Sequence, residues 1–177
     1  MKLLGTIISN DLSWDDNCEE LVSKVNKRMQ LLQKCKTIGS SDQEMVMLWI
    51  LYCRSILENS SVVWHTSLTN ENKYILERTQ KSFCKMVLGK KFITYETALL
   101  KLNLETLEDR CNNLNLKFAQ DAVKNNNMKD IFYKNVNFKH NTRHHEIYNV
   151  MHANTERKRK YSIIQMQHQL NKTENLK

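Results

Sequence analysis

The chain has 177 residues, 41% hydrophobic and 26% charged, which suits one domain, or a compact domain with a tail, and supplies enough apolar material for a core. Proline is absent and glycine occurs three times, a shortage of breakers that favours long helices over a many-stranded sheet. A net charge of +8 and a pI of about 9.2 point to an anionic partner, and no run approaches the ~20 apolar residues of a membrane span.

In chain order, the first expectation is a short strand over Leu3 to Ile8, ended by Ser9-Asn10-Asp11 as a turn. Ser13, with Asp16 at the N3 place, predicts the cap of a helix from about Trp14 to Lys36. Leu21, Val25, Met29 and Leu32 form its apolar stripe, and Gly39 is free to take positive φ just past its end. Ser41 and Glu44 form a second capping box, opening a helix to about Glu58 whose apolar face reads Met45, Leu48, Trp49, Tyr52 and Ile56. Asn59-Ser60-Ser61 reads as a break. Thr69 caps a third helix closed by Gly89, with Tyr74, Ile75, Phe83, Met86, Val87 and Leu88 among its apolar positions. Thr94 begins a short helix through Leu102. Thr106, with Asp109 at N3, begins another through about Lys124, lined by Leu107, Cys111, Leu114, Phe118 and Val123. A short helix near Met128 to Tyr133 and a terminal one over Gln165 to Leu170 complete the expected elements.

The expected fold class is therefore mainly α: about five amphipathic helices in a compact bundle, a short N-terminal strand over 1–12, a helical body over 13–124 and an irregular basic tail over 125–177. The tail carries nine basic residues against three acidic ones from Ile131 onward, so it holds most of the net charge. Five widely spaced cysteines, several at apolar helical positions, read as reduced thiols of an intracellular protein, nuclear or cytoplasmic. The apolar stretch at Met1 to Ile8 is too short for a signal peptide and meets charge at Asp11. His140, His144, His145 and His152 have spacings compatible with zinc, yet no Cys-x-x-Cys accompanies them and they read as exposed. Trp14, Trp49 and Trp64 have the π-faces to stack on bases, but core packing is the plainer reading.

Taken together in order, these segments resemble a known family. Leu4-Gly5-Thr6-Ile7-Ile8 with Leu12-Ser13-Trp14 is similar to its "LGv-I…LsW" segment. Arg54-Ser55-Ile56-Leu57-Glu58 followed by Val63-Trp64 resembles "R-P-v-L-E…vW", and Leu76-Glu77-Arg78-Thr79-Gln80 resembles "LE-r-v-Q". Tyr95 to Leu99 and Leu102 to Arg110 resemble "Y-e-e-A-l…L-g-l-x-t-L-e-e-R", and Thr155 to Ser162 the tail stretch "R-T-x-R-y-r-r-S". The family is the reverse transcriptases of non-LTR retrotransposons (LINE, jockey-like), and the likeness is to the thumb or connection segment that follows the palm. Ser55 stands where the pattern has proline and Asn103 where it commonly has glycine.

The resemblance implies an accessory segment of an RNA-directed DNA polymerase without intrinsic catalysis. The family keeps its metal-binding carboxylates in the palm, partly in a Tyr-x-Asp-Asp turn, and this chain has no such turn. Asp15-Asp16 sits in the first turn of a predicted helix, where carboxylates complement the helix dipole. No catalytic residue, metal site or cofactor is expected. The implied partners are RNA or an RNA–DNA hybrid and the polymerase core of the parent enzyme. Contact is expected at backbone phosphates, through Lys24, Lys27 and Arg28 on the first helix and Arg157, Lys158, Arg159 and Lys160 in the tail. A helical protein-interaction module and a decayed mobile-element relic are the alternatives.

Overall fold

The computed structural model describes residues 1–11, 13–125, 128, 130–134 and 147–174. The fold is mainly helical, with one two-stranded antiparallel sheet at the N-terminus. It divides into two compact units, the first comprising Met1–Ser61 and Leu68–Arg110, the second Val62–Ser67 and Cys111–Lys177.

The first unit opens on a hairpin, where a single strand was expected. β1 (Lys2–Leu3) pairs with β2 (Thr6–Ile7), Lys2 opposite Ile7 and Leu3 opposite Thr6. The fold-back is possible because Leu4 and Gly5 both take positive φ, 48° and 87°, the requirement of a two-residue turn matched to strand twist. Met1 and Ile8 extend the pairing by exchanging hydrogen bonds of 2.9 and 2.8 Å. The Ile7 N–H donates to Asn17 Oδ1 at 3.0 Å, fastening the hairpin to the first helix.

That helix, α1, spans Asp15–Ile38. Its cap is not Ser13: Trp14 occupies the cap position without a side-chain hydrogen bond, and the Ser13 N–H donates instead to Asp11 Oδ1 at 3.0 Å. Leu21, Val25 and Leu32 are buried, as the stripe predicts, and Cys18 joins them, while Met29 is half-buried. Gly39 ends the helix at φ 108°, its N–H returning to the last-turn carbonyls. Lys36 Nζ then reaches Asp42 Oδ1 at 2.7 Å across the turn into the next helix.

The helix expected over 42–58 is continuous but not uniform. α2 (Asp42–Leu48), with the predicted Ser41–Glu44 capping box, runs into a π-helical turn at Trp49–Arg54 and then α3 (Ser55–Glu58). The wider i→i+5 turn changes which side chains face inward. The buried series is Met45, Trp49, Cys53 and Leu57, while Tyr52, expected inside, is half exposed. Trp49 stacks on Phe83 with ring centroids 4.6 Å apart and planes 15° from parallel. After Ser60, at φ 54°, comes α4 (Ser61–Trp64).

α5 (Asn70–Leu88) is capped by Thr69, whose hydroxyl accepts from the Asn72 N–H at 3.2 Å, and closed by Gly89 at φ 51°. It buries Leu76, Phe83, Cys84, Val87 and Leu88, whereas Tyr74 lies exposed. α6 (Tyr95–Leu102) begins at a Thr94–Thr97 capping box and stops at Asn103, left-handed at φ 51°, ψ 48°. Asparagine tolerates that conformation, and glycine is the residue that adopts it most readily. α7 (Leu107–Lys124) starts from Thr106, whose Oγ1 accepts from the Asp109 N–H at 3.0 Å. Cys111 is buried as expected, but from there the inward face runs Asn115, Ala119, Ala122, leaving Phe118 exposed.

The second unit has its own core of Ala119, Ala122, Phe132, Tyr148, Met166 and Leu170. Much of the stretch read as tail therefore packs. Where a helix was expected near 128–133, the described residues form a turn, the Ile131 N–H donating to the Met128 carbonyl at 3.1 Å. α8 (Glu156–Arg159) precedes α9 (Ser162–Glu174), the terminal helix the sequence predicts, here longer. Two buried amides one turn apart on α9 stitch the unit together. Asn171 accepts from the Tyr148 N–H at 2.7 Å and donates to its carbonyl at 3.0 Å. Gln167 donates to the Ile131 carbonyl at 2.9 Å and accepts from the Met151 N–H at 3.0 Å. Ser162 Oγ and Ser67 Oγ tie this end to Val62–Ser67, donating to the Val63 carbonyl at 2.8 Å and the Lys160 carbonyl at 3.1 Å.

No described helix is long and apolar enough to cross a membrane. None of the five cysteines is in a disulfide, and burial pushes Cys18 and Cys84 up to about 12 and Cys53 to about 11, which keeps these three protonated packing groups near neutral pH.

Gly39 has open space where a Cβ would stand, so its requirement is conformational alone. Gly39→Ala is expected to lower stability by about 1 kcal/mol in a urea titration, with an unchanged slope.

Candidate nucleic-acid interface

The two sets of basic residues lie in different units, Lys24, Lys27 and Arg28 in the first and Arg157 to Lys160 in the second. On α1, spacings of three and four place Lys24, Lys27 and Arg28 near one another on the helix surface. They are not equivalent. Lys24 Nζ sits 2.5 Å from Glu20 Oε1, and Lys2 Nζ shares that oxygen at 2.6 Å. Hydrogen bonds from the two lysines hold the Glu20 carboxyl below its ordinary range, so it stays anionic. Arg28 Nη1 donates to the Tyr52 carbonyl in the π-helical turn at 2.5 Å. Lys27 is exposed, and no ion pair among the described residues holds it.

Lys24 and Arg28, but not Lys27, line a cleft of about 340 Å³. Leu21 of α1 is beside them, α3 brings Ser55 and Ile56, and Asn59 follows at its end. Gly5, the hairpin turn glycine, completes the lining. The α3 wall is braced by charge: Glu58 Oε1 lies 3.0 Å from Arg54 Nε and accepts from Arg110 Nε at 3.0 Å. The first contact is an ion pair off the line of a hydrogen bond, because the Arg54 N–H does not point at the carboxylate.

In the second unit the four basic residues are all exposed. Thr155 Oγ1 accepts from the Lys158 N–H at 3.2 Å and starts the single turn of α8. Arg159 pairs with Glu156 at 2.8 Å.

A second convergence was not legible in the sequence. Glu77 Oε1 accepts from the Tyr95 hydroxyl, and Glu77 Oε2 from the Leu107 N–H at 3.1 Å. Gln80, wholly buried, donates to the Tyr95 hydroxyl at 3.0 Å and the Glu105 carbonyl at 2.9 Å, and accepts from Trp49 Nε1 at 3.2 Å. The segments quoted for the resemblance thus meet in pairs: Glu77 and Gln80 with Tyr95, Glu105 and Leu107, and Arg54 and Glu58 with Arg110. The only sequence signal was the recurrence of polar letters inside apolar patterns.

Other sequence candidates have structural positions. Asp15 Oδ1 accepts from Asn72 Nδ2 at 2.6 Å, binding α1 to α5. Trp49 and Trp64 are fully buried, and Trp14 is partly so. His152 is exposed, while His140, His144 and His145 lie outside the described residues. Among the described residues no group of three His, Cys, Asp or Glu side chains is placed to hold a metal ion. Comparison with family models, curated proteins and solved structures finds no match.

Glu58→Ala leaves Arg54, a mostly buried cation, without its counter-charge, and a loss of about 3 kcal/mol is expected in chemical denaturation. Glu77 gives a pH test. Burial raises its carboxyl above the ordinary 4.5, with the hydrogen bonds from Tyr95 and Leu107 opposing. The folded state therefore holds this proton more tightly than the unfolded chain does. Its contribution is greatest below 4.5 and is lost as pH climbs through the raised value. The stability of wild type minus that of Glu77→Gln should fall across that window; a difference that stays level there contradicts the burial argument.

Proposed function

We propose that this chain is the non-catalytic, post-palm segment of a non-LTR retrotransposon reverse transcriptase, or a protein built from one, and that it holds the template–primer backbone through basic residues. The observation that carries the reading is the pairing of its motif residues. Letters that recur in that family's pattern at 54, 58, 77, 80, 95 and 110 are hydrogen-bonded or ion-paired to one another here, and the Leu107 backbone N–H joins them at Glu77. Asn103 adds to it, since the place where the pattern has glycine is a left-handed helix end. A likeness by chance among amphipathic helices has no reason to select mutually bonded polar residues.

The basic surface suits phosphates rather than base edges. Its groups are long, flexible cations, and they sit on an exposed helix face and a single exposed turn. RNA or an RNA–DNA hybrid is the proposed ligand, with the polymerase core of the parent enzyme as protein partner.

A helical protein-interaction module is the second reading, favoured by exposed Leu31, Met47, Leu51 and Tyr52 in the first unit. Salt separates the two. Retention of an RNA–DNA hybrid on filters should weaken steeply between low and moderate salt, whereas apolar docking should not. Neutralising Arg157, Lys158, Arg159 and Lys160 together to glutamine should flatten the log–log salt slope by about 0.9 for each phosphate that the variant no longer neutralises. No retention of the hybrid at low salt sinks the proposal.

A further inference from the structure

The cleft between α1, α3 and the hairpin turn has three properties suited to an anionic ligand. It is concave, at about 340 Å³. Two cations, Lys24 and Arg28, line it with no carboxylate among its lining residues. Its remaining surface mixes the apolar Leu21 and Ile56 with the polar Ser55 and Asn59. Another open groove of this unit, about 480 Å³ between α1 and α5, offers one cation, Lys34, beside Met29 and Met86.

Charge in the cleft is arranged for exchange. Glu20 is shared by two ammonium groups, Lys2 and Lys24. When an anion draws Lys24 away, Lys2 still neutralises the carboxylate. Arg28 is fixed by its bond to a neutral carbonyl, that of Tyr52, and no ion pair among the described residues engages it. The far wall is held in place by the Arg54–Glu58–Arg110 bridge. At the turn, φ of +87° favours glycine, and a Cβ on Gly5 would meet the Asn59 amide nitrogen at an ordinary 3.6 Å.

We propose that this cleft seats one phosphodiester of a nucleic-acid strand, with the phosphate between Lys24 and Arg28 and the sugar against Ile56. The inference rests on the reading of the chain as a backbone binder and adds the place where a strand is gripped. The apolar side of the cleft favours a nucleotide unit over a free inorganic ion, which has no carbon surface to bury. Lys27, outside the lining, is excluded from the grip although it neighbours Lys24 on the helix.

The experiment measures binding of an RNA–DNA hybrid to the full chain as a function of salt, for wild type, Lys24→Gln and Lys27→Gln. The two variants remove the same charge. Lys24→Gln should reduce the salt slope by about 0.9, the value of one phosphate, and Lys27→Gln by less than half of that. In wild type, the backbone amide resonances of Gly5, Ser55 and Asn59 should shift saturably with the hybrid and stay in place with inorganic phosphate at equal concentration. Hybrid binding with equal slopes in both variants and unmoved amides overturns the cleft and leaves the backbone-binding reading standing. No hybrid binding at low salt overturns both, as does capture by phosphatidylserine vesicles in place of the hybrid. Equal saturable shifts with inorganic phosphate reassign the cleft to a free anion and overturn the proposal.

Discussion

Gln80 is wholly buried, and both ends of its amide are engaged: the oxygen accepts from the Trp49 indole, and the nitrogen donates to the Tyr95 hydroxyl and the Glu105 carbonyl. A buried amide short of partners carries a desolvation cost of about 1–3 kcal/mol, so this side chain fits one arrangement of its neighbours. That arrangement fixes the π-helical turn through Trp49, the start of α6 through Tyr95 and the approach to α7 through Glu105. The stack of Trp49 on Phe83, three residues along α5 from Gln80, adds the apolar half of the same junction. Three helices are thus located from one residue of α5, and Glu77, one turn earlier, repeats the device with Tyr95 and the Leu107 N–H.

The polar junction also explains how a protein with so few breakers acquires defined corners. In the first unit the turns between helices carry chemical stops: left-handed Gly39 and Asn103, Gly89 at positive φ, and hydroxyl caps at Ser41, Thr69, Thr94 and Thr106. These stops leave α1 to present its outer face beside the hairpin and α3. The candidate cleft forms there because Leu4 and Gly5 turn the N-terminal stretch back on itself.

Legibility in the sequence followed locality. Caps and stops depend on residues within four positions of each other, and they were readable at Ser41, Thr69, Thr94, Thr106, Gly39 and Gly89. The α1 stripe was readable because that helix is regular. The face at 42–58 was misread at Tyr52 because a π-helical turn breaks the 3.6-residue period, and no propensity rule marks where it occurs. The face of α7 was misread at Phe118 because a large side chain was assumed to point inward, whereas Ala119, Ala122 and Asn115 do. Leu3 to Ile8 looked like one strand because leucine at positive φ is an unusual turn residue. The basic residues were legible as charges. Which of them share a concave surface was not, since that depends on Asn59 and Gly5 arriving from elsewhere in the chain.

The widened turn at Trp49–Arg54 has a further meaning. A helix that closes some of its hydrogen bonds one residue late has absorbed one more residue than its length in space requires, and the surplus is carried on the solvent side, at Leu51 and Tyr52. The Tyr52 carbonyl is the acceptor for Arg28. The bulge therefore works as a ratchet pawl for α1: the surplus residue that the core had no room for supplies the catch that holds a cation at the mouth of the groove.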